Sequence, residues 1–141
     1  MKRVIVLGLA VLAVGVLSSL LPSVASAADA PADRVVVMYF HRTVRCPTCQ
    51  KMGTYSEEAV KSGFAEQVKA GTVEFRYIDF QDPKNAKLAG GYGVAGSTLI
   101  VAKVAANKVV EKKNLKDIWA KTGDKAAFVR YVQTNVKSCL K

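Results

Sequence analysis

The most constraining feature of the sequence is an apolar run at residues 34–41, RVVVMYFH. The run is too short for a typical helix, and β-branched and aromatic side chains dominate it. Strands buried on both faces have continuous apolar runs of this kind, whereas half-exposed strands alternate apolar and polar residues. We therefore predict a central strand of a partly parallel sheet.

The rest of the chain predicts an alternation of helices and strands. Strands joined by a helix are expected to be parallel, and a hairpin adds an antiparallel edge. The order is therefore β-α-β-α-β-β-α, which predicts an α/β fold with a central mixed sheet flanked by helices. After the first strand, the sequence predicts a helix from Cys46 that kinks or splits at Gly53 or Gly63 and ends at Gly71, and then a strand at 72–80. A short helix from Asp82 to about Leu88 and a loop containing Gly90, Gly91, Gly93 and Gly96 follow. The last predicted elements are a hairpin, in which strand 98–105 turns at Ala106-Asn107 into 109–111, and a helix capped by Asp124.

The sequence Cys46-Pro47-Thr48-Cys49 stands where the first helix begins. Proline is favoured in the first turn because its missing N–H has no helical partner, which places Cys46 at the N-cap. Unpaired backbone N–H groups and the positive end of the helix dipole then stabilise a thiolate there. Cysteines so placed have pKa values of about 3.5–7.5. We predict that Cys46 is the attacking thiol and Cys49 the buried resolving thiol.

A strand, a CxxC motif and a helix in this element order resemble the thioredoxin-like superfamily, over residues 34–140. The resemblance implies a thioredoxin-like fold and exchange chemistry at Cys46 and Cys49. No organic cofactor is expected, because electrons travel as the dithiol/disulfide pair. The Pro-first dipeptide is more similar to glutaredoxins and periplasmic disulfide oxidoreductases than to thioredoxin itself, whose motif is Cys-Gly-Pro-Cys.

The sequence departs from the thioredoxin pattern at three places. Ser97 stands where thioredoxins carry a cis-proline that faces the redox pair. A cis bond before a residue other than proline costs about 2.5–4 kcal/mol, so a trans bond is expected there. The buried acid of thioredoxin has no counterpart in Met38-Tyr39-Phe40, and its tryptophan before the first cysteine is replaced by Arg45.

Several residues near the motif are candidate modulators of its chemistry. Arg42 and Arg45, with His41, would lower the pKa of Cys46 if they point at its sulfur, and otherwise are exposed cations and a structural histidine. Pro47 and Ser97 complete the candidate set. A different class of function is metal binding through Cys46, Cys49 and His41, without redox turnover.

Three other features have a structural interpretation. Gly91-Tyr-Gly-Val-Ala-Gly96 matches the letters of a dinucleotide-binding loop but follows a predicted helix rather than a strand, which predicts a plain loop close to the CxxC motif. Cys139 lies on the apolar stripe of the last helix, which favours a buried structural cysteine over an exposed thiol that pairs between chains. Trp119 is interpreted as core packing.

The N-terminal segment predicts export. A basic start, an uncharged run at residues 4–21 and Ala25-Ser26-Ala27 are typical of a signal peptide over residues 1–27. The alternative is a retained N-terminal membrane anchor. Residues 28–33 are then a short linker and residues 34–141 the thioredoxin-like domain, in the periplasm or outside the cell.

Positive charge is concentrated in the last part of the chain. Residues 103–141 carry ten Lys and Arg against three Asp and Glu, whereas residues 28–102 carry nine against eight. Such a region is either a solvated lysine-rich face or a contact for an anionic surface. Nucleic acid is not an expected partner, because the predicted export signal disfavours it and the lysines are not interleaved with a series of aromatic residues. The expected partners are cysteine-containing proteins and a redox partner protein, with the direction of exchange open.

Overall fold

The computed structural model describes residues 30–141, and the predicted signal peptide lies outside them. The strands and helices are β1 (Arg34–His41), α1 (Pro47–Gly63), α2 (Ala65–Lys69), β2 (Val73–Asp79), α3 (Ala86–Tyr92), β3 (Thr98–Ala105), β4 (Lys108–Asn114) and α4 (Lys125–Cys139). Short 3-10 turns occupy Pro83–Asn85 and Lys116–Ile118. Among the described residues, no helix combines the length and the apolar character that a membrane crossing needs.

The sheet has four strands in the order β2-β1-β3-β4. β1 runs parallel to β2 and antiparallel to β3, and β3 and β4 form an antiparallel hairpin. β1 is therefore an inner strand, and residues 35–40 are all buried, as the unbroken apolar run predicts. The α/β class with a central mixed sheet flanked by helices is confirmed. The expectation that strands joined by a helix are parallel holds for β1 and β2 but was wrong for β2 and β3, which α3 joins, because β3 pairs antiparallel with β1 and so runs opposite to both.

Alternate residues of β1 face two separate cores. Val37 and Tyr39 belong to the larger core, which includes residues of α1 and α4. Met38 and Phe40 belong to a smaller core on the other face, to which α3 contributes Ala89. Because side chains alternate along a strand, one short run supplies both cores.

The end of one helix differs from the sequence prediction. α3 continues through Gly90 and Gly91 to Tyr92, so the prediction that placed these glycines in a loop was wrong. Gly93, with φ of 67°, is the left-handed residue that ends the helix. The first helix splits at Gly63, and Gly53 lies inside α1. Ala89 and Tyr92 of α3 pack against the smaller core, a tertiary contact that opposes the low helix propensity of Gly90 and Gly91.

The position of Trp119 also differs from the sequence prediction. Its side chain is 47% exposed, so the interpretation as core packing was wrong. Leu115 and Ile118 fill the core position instead, and they anchor the 3-10 turn that leads to Trp119. The sequence pattern did not distinguish these neighbouring apolar residues, because a single turn of 3-10 helix has no readable period.

Candidate active site

The CxxC motif lies where β1 has ended and α1 begins. Cys46 is the N-cap residue, with φ of −70° and ψ of 162°, and Pro47 occupies the first turn. The Cys46 Sγ accepts a hydrogen bond from the backbone N–H of Cys49 at 3.3 Å. The helix start therefore gives one of its unpaired N–H groups to a sulfur atom, the placement expected from the sequence.

The two sulfur atoms of the motif are 2.8 Å apart, and both residues are free cysteines. Cys46 is exposed, whereas Cys49 is buried. Hydrogen bonds from the side chain and the backbone N–H of Cys49 lower the pKa of Cys46. Burial raises the pKa of Cys49, and the contact with Cys46 raises it further. The pair thus divides into an accessible thiol that ionises readily and a covered thiol that keeps its proton.

Tyr39 supports the motif from the core, and the sequence analysis did not identify it as a site residue. Its hydroxyl donates a hydrogen bond to the Cys49 carbonyl at 2.7 Å. Its side chain is fully buried, and burial, together with the nearby thiols, raises its pKa. Tyr39 therefore stays protonated and acts as a donor rather than as a base. The requirement that a buried tyrosine hydroxyl find a partner was the available signal.

His41 and Arg45 lie in an aromatic cluster beside the motif. The His41 ring centroid is 6.1 Å from those of Tyr39 and Tyr77. The Arg45 guanidinium lies 5.6 Å above the Tyr77 ring, and its charge lowers the pKa of Tyr39. The main causes that lower the pKa of Cys46 are hydrogen bonds within the motif. The structure thus places His41 and Arg45 around the Tyr77 ring, with the Arg45 guanidinium directed at that ring.

Ser97 directly precedes β3, which begins at Thr98. The Ser97 side chain opposes the rise in the pKa of Cys49. The described residues contain no cis peptide bond, so Ser97 follows a trans bond as expected. Its carbonyl accepts a hydrogen bond from the Trp119 indole N–H at 3.2 Å. Ser97 is therefore joined through its backbone to an exposed aromatic residue.

The structure also shows the environment of the third cysteine and whether His41 could join the two thiols in a metal site. Cys139 is 1% exposed, which confirms the prediction of a buried cysteine. It lines a cavity with Val35 and Lys103, at the start of β1 and so at the opposite end of the sheet from the motif. Within residues 30–141, no three His, Cys, Asp or Glu side chains are grouped to hold a metal ion. His41 therefore does not complete a ligand set with the two thiols.

A comparison with known families fits this geometry. The family model described as thioredoxin matches residues 28–126. The chain belongs to the thioredoxin family. The resemblance predicted from the CxxC motif and the element order is thereby confirmed, and the close pair of thiols is where that resemblance expects it. No curated protein matches the chain.

Solved structures, two of them of thioredoxins, are also similar to this chain. A thioredoxin from Thermus thermophilus shares 26% identity over 72% of this chain and 73% of its own, with a TM-score of 0.43. A Fasciola hepatica thioredoxin shares 19% identity over 70% of this chain and 81% of its own, with a TM-score of 0.38. A malarial protein shares 21% identity over 69% of this chain and 94% of its own, with a TM-score of 0.43.

Proposed function

We propose that this thioredoxin-family protein is an exported thiol–disulfide oxidoreductase that acts on protein cysteines. The observation that carries the proposal is the pairing of an exposed Cys46, stabilised as a thiolate, with a buried Cys49 whose sulfur is 2.8 Å away. A pair of this kind accepts and releases two electrons without any other group. We assign attack to Cys46 and resolution to Cys49.

The exchange cycle follows from the different roles of the two thiols. The Cys46 thiolate attacks a substrate disulfide, forms a mixed disulfide and expels one substrate thiolate, which takes a proton from water. Cys49, after losing its proton, attacks Cys46, so the Cys46–Cys49 bond forms and the second substrate thiolate leaves. The substrate is reduced by two electrons and the pair is oxidised. Run in reverse, the same steps oxidise a substrate dithiol.

An insulin-reduction assay with a parallel scrambled-substrate assay tests the proposal. We expect the wild type to turn over, Cys46→Ser to be inactive, and Cys49→Ser to accumulate a mixed disulfide at Cys46. Cys139→Ser is the matched control, because that thiol is buried away from the motif. A wild type no faster than the Cys46→Ser/Cys49→Ser double variant would refute the proposal.

The direction of exchange depends on the reduction potential of the pair against that of its partners. Stabilisation of the Cys46 thiolate favours the reduced form of the pair, which makes the pair more oxidising than two free thiols. Equilibration with glutathione measures this potential. The proposed partners are therefore cysteine-containing proteins and one protein that supplies or removes electrons.

The proposed location is the periplasm or the exterior of the cell, after removal of residues 1–27. This rests on the basic start, the uncharged run and the Ala25-Ser26-Ala27 site. N-terminal sequencing of the protein from cell fractions tests it, with a mature start at Ala28 expected. An intact N-terminus in the membrane fraction would indicate an anchor instead. Sedimentation with anionic and neutral vesicles tests the anionic contact of residues 103–141.

A further inference from the structure

β2 is an edge strand with one open side. Among residues 30–141, it pairs with β1 alone. The Val35 N–H donates to the Thr72 carbonyl at 2.9 Å, and the Phe80 N–H donates to the His41 carbonyl at 3.0 Å. Backbone groups alternate between the two sides of a strand, so the even-numbered residues of β2 face β1. The odd-numbered residues direct their N–H and C=O groups to the open side: Val73, Phe75 and Tyr77.

The side chains of β2 form an apolar row on one face and a charged pair on the other. The apolar row consists of Val73, Phe75 and Tyr77, and Tyr77 is 40% exposed. On the other face, the Arg76 guanidinium donates to the Glu74 carboxylate at 2.8 Å. A groove of about 720 Å³, lined by β2, α1 and α2, opens beside this edge. A phenylalanine therefore lies at the centre of the edge, between two opposite charges.

An antiparallel second copy of β2 matches this edge when Phe75 lies opposite its own counterpart. Because Phe75 directs its N–H and C=O groups outward, the two copies exchange both hydrogen bonds at this residue. Glu74 then lies opposite the second copy's Arg76, in a non-hydrogen-bonded pair, where opposing side chains come closest. Cross-strand pairs of opposite charge stabilise a sheet. The apolar row also continues across the join, because Val73 lies opposite the second copy's Tyr77.

We propose that the protein forms a two-fold dimer in which two β2 strands pair antiparallel, with Phe75 at the centre, and join the two sheets. The same residues serve both copies, as an interface with two-fold symmetry requires. The dimer goes beyond the proposed exchange function, because each copy keeps its own Cys46 and Cys49. The strands that pair run in opposite directions, so the two CxxC motifs lie at opposite ends of the joined sheet.

The other edge strand of the sheet, β4, does not offer the same match. Lys113 and Glu111 form an ion pair at 3.3 Å, with the same spacing as Arg76 and Glu74. The corresponding register would be centred on Lys112 and would place this lysine opposite its own counterpart, and like charges directly opposite destabilise a sheet. β4 also pairs with β3 through a bulge and lies in the basic part of the chain. Lysines and bulges are typical of edges that resist strand pairing.

Charge reversals on β2 test the register by sedimentation equilibrium of the full chain as purified. A reducing agent is kept present, so that no disulfide at the exposed Cys46 links two copies. Glu74→Arg leaves two arginines on the edge, and Arg76→Glu leaves two glutamates. Each single variant would set like charges opposite one another in its own dimer. We expect the dissociation constant of each to rise about tenfold or more.

Restoring the opposite charges should restore the dimer. In an equimolar mixture of the two single variants, the arginines of one face the glutamates of the other, so we expect a heterodimer with an affinity close to that of the wild type. The double variant Glu74→Arg/Arg76→Glu exchanges the charges within one chain and should dimerise as the wild type does. Among antiparallel pairings of β2, only the register centred on Phe75 predicts both results.

Glu111→Arg is the matched control. It breaks an ion pair of the same spacing on the other edge strand, and it changes the net charge by the same amount as Glu74→Arg. We expect its dissociation constant to equal that of the wild type. Insulin reduction by Glu74→Arg should proceed at the wild-type rate, because the redox pair lies within each copy. The dimer and the exchange activity are therefore tested separately.

The sedimentation results decide the proposal. Loss of the dimer in both single variants, with recovery in the mixture and in the double variant, supports it. A wild type that is monomeric throughout the concentration series overturns it. A dimer that Glu74→Arg weakens no more than Glu111→Arg does, or that neither the mixture nor the double variant restores, also overturns it, because the copies would then meet through another surface.

Discussion

Gly53 lies on α1 where two tyrosine rings cross the helix. A Cβ added at this position would lie 2.7 Å from Cε1 of Tyr77 and 3.0 Å from Cε1 of Tyr39. Tyr39 is the residue whose hydroxyl donates to the Cys49 carbonyl, one helical turn before Gly53. The missing side chain therefore lets the Tyr39 ring lie against the helix and reach the motif.

Gly53→Ala is expected to destabilise the protein by about 1 kcal/mol, because overpacking costs about 1–3 kcal/mol and helix propensity returns about 1. Gly90→Ala is the matched control. It lies inside α3, where an added Cβ meets nothing within 4 Å, and should stabilise by about 0.5–1 kcal/mol. Urea unfolding measures both. Equal shifts for the two variants would contradict the proposed contact.

The lowered pKa of Cys46 predicts how its reactivity depends on pH. Because the thiolate is the nucleophile, alkylation by iodoacetamide should persist below the ordinary thiol pKa and decline as the pH falls through the lowered value. Cys49→Ala removes the largest cause of the shift, so its profile should move to higher pH. Rates across a pH series test this, and superimposable profiles would exclude the hydrogen bond as the cause.

The motif geometry was predictable because it depends on local chemistry. Proline in the first turn and a cysteine before it define a helix start within a few residues, and the structure has that start. The contacts of Tyr39 and Trp119 were not predictable. Which carbonyl a tyrosine or indole reaches depends on strands and turns far apart in the sequence, and the local pattern does not carry that information.

The β3–β4 hairpin turns through two residues with positive φ, Ala106 at 49° and Asn107 at 60°. Both central residues of a type I′ turn have positive φ, a conformation that matches the twist of the flanking strands. Asparagine tolerates this conformation, whereas in alanine the Cβ comes too close to the following carbonyl oxygen, which makes the conformation unfavourable. The backbone N–H of Ala106 also donates to Asp33 at 2.8 Å, which ties the turn to the chain before β1.

Ala106→Gly should therefore stabilise the protein by about 0.5–1 kcal/mol, because relief of the left-handed strain outweighs the entropy that glycine loses. The backbone hydrogen bond to Asp33 is retained. Ala105→Gly, at the end of β3, should instead destabilise by about 0.5–1 kcal/mol. Thermal and urea unfolding compare the two variants. A loss of stability in Ala106→Gly would argue against this turn.

Elements with strong end signals were predicted well, and α3 was not. Asp124 caps α4 by accepting from the Ala127 N–H at 2.9 Å, as its position before an apolar stripe predicts. In α3, Gly90 and Gly91 each disfavour a helix by about 1 kcal/mol, and a prediction from local sequence includes only that cost. Packing of Ala89 and Tyr92 against the sheet opposes that cost, and the local sequence does not show this contact.

The whole molecule is asymmetric about its sheet. One face is covered by α1 and α4, and the core there includes Phe128 and Met52. The other face is covered by α3, whose N-cap Asn85 makes no side-chain capping bond and whose buried residue is Ala89. Helices with little buried apolar surface open locally before the domain unfolds.

Hydrogen exchange should therefore show two levels of protection. Amides of β1, the inner strand between β2 and β3, are expected to exchange through global unfolding, and their protection should fall with added denaturant. Amides of α3 should exchange faster and with little dependence on denaturant. Mass spectrometry of peptides covering the two elements measures both. Equal protection in β1 and α3 would show that the domain opens as one unit.

Two strand pairings were predicted from the sequence, the parallel pair β1–β2 joined by a helix and the antiparallel β3–β4 hairpin. The antiparallel direction of β3 relative to β1 and β2 was not predicted, because it depends on which edge of the sheet the chain returns to after α3. The unequal cover of the two sheet faces could not be predicted from the sequence. The local sequence of residues 86–96 fits a glycine-rich loop as well as it fits α3.

The burial of Cys139 bears on every thiol reagent applied to the native fold. Of the three cysteines in the chain, only Cys46 is an exposed residue. A maleimide applied to the reduced protein would accordingly add one mass increment to a folded copy and three to a denatured one. Counting the adducts by mass spectrometry of the intact protein therefore measures the fraction of folded molecules.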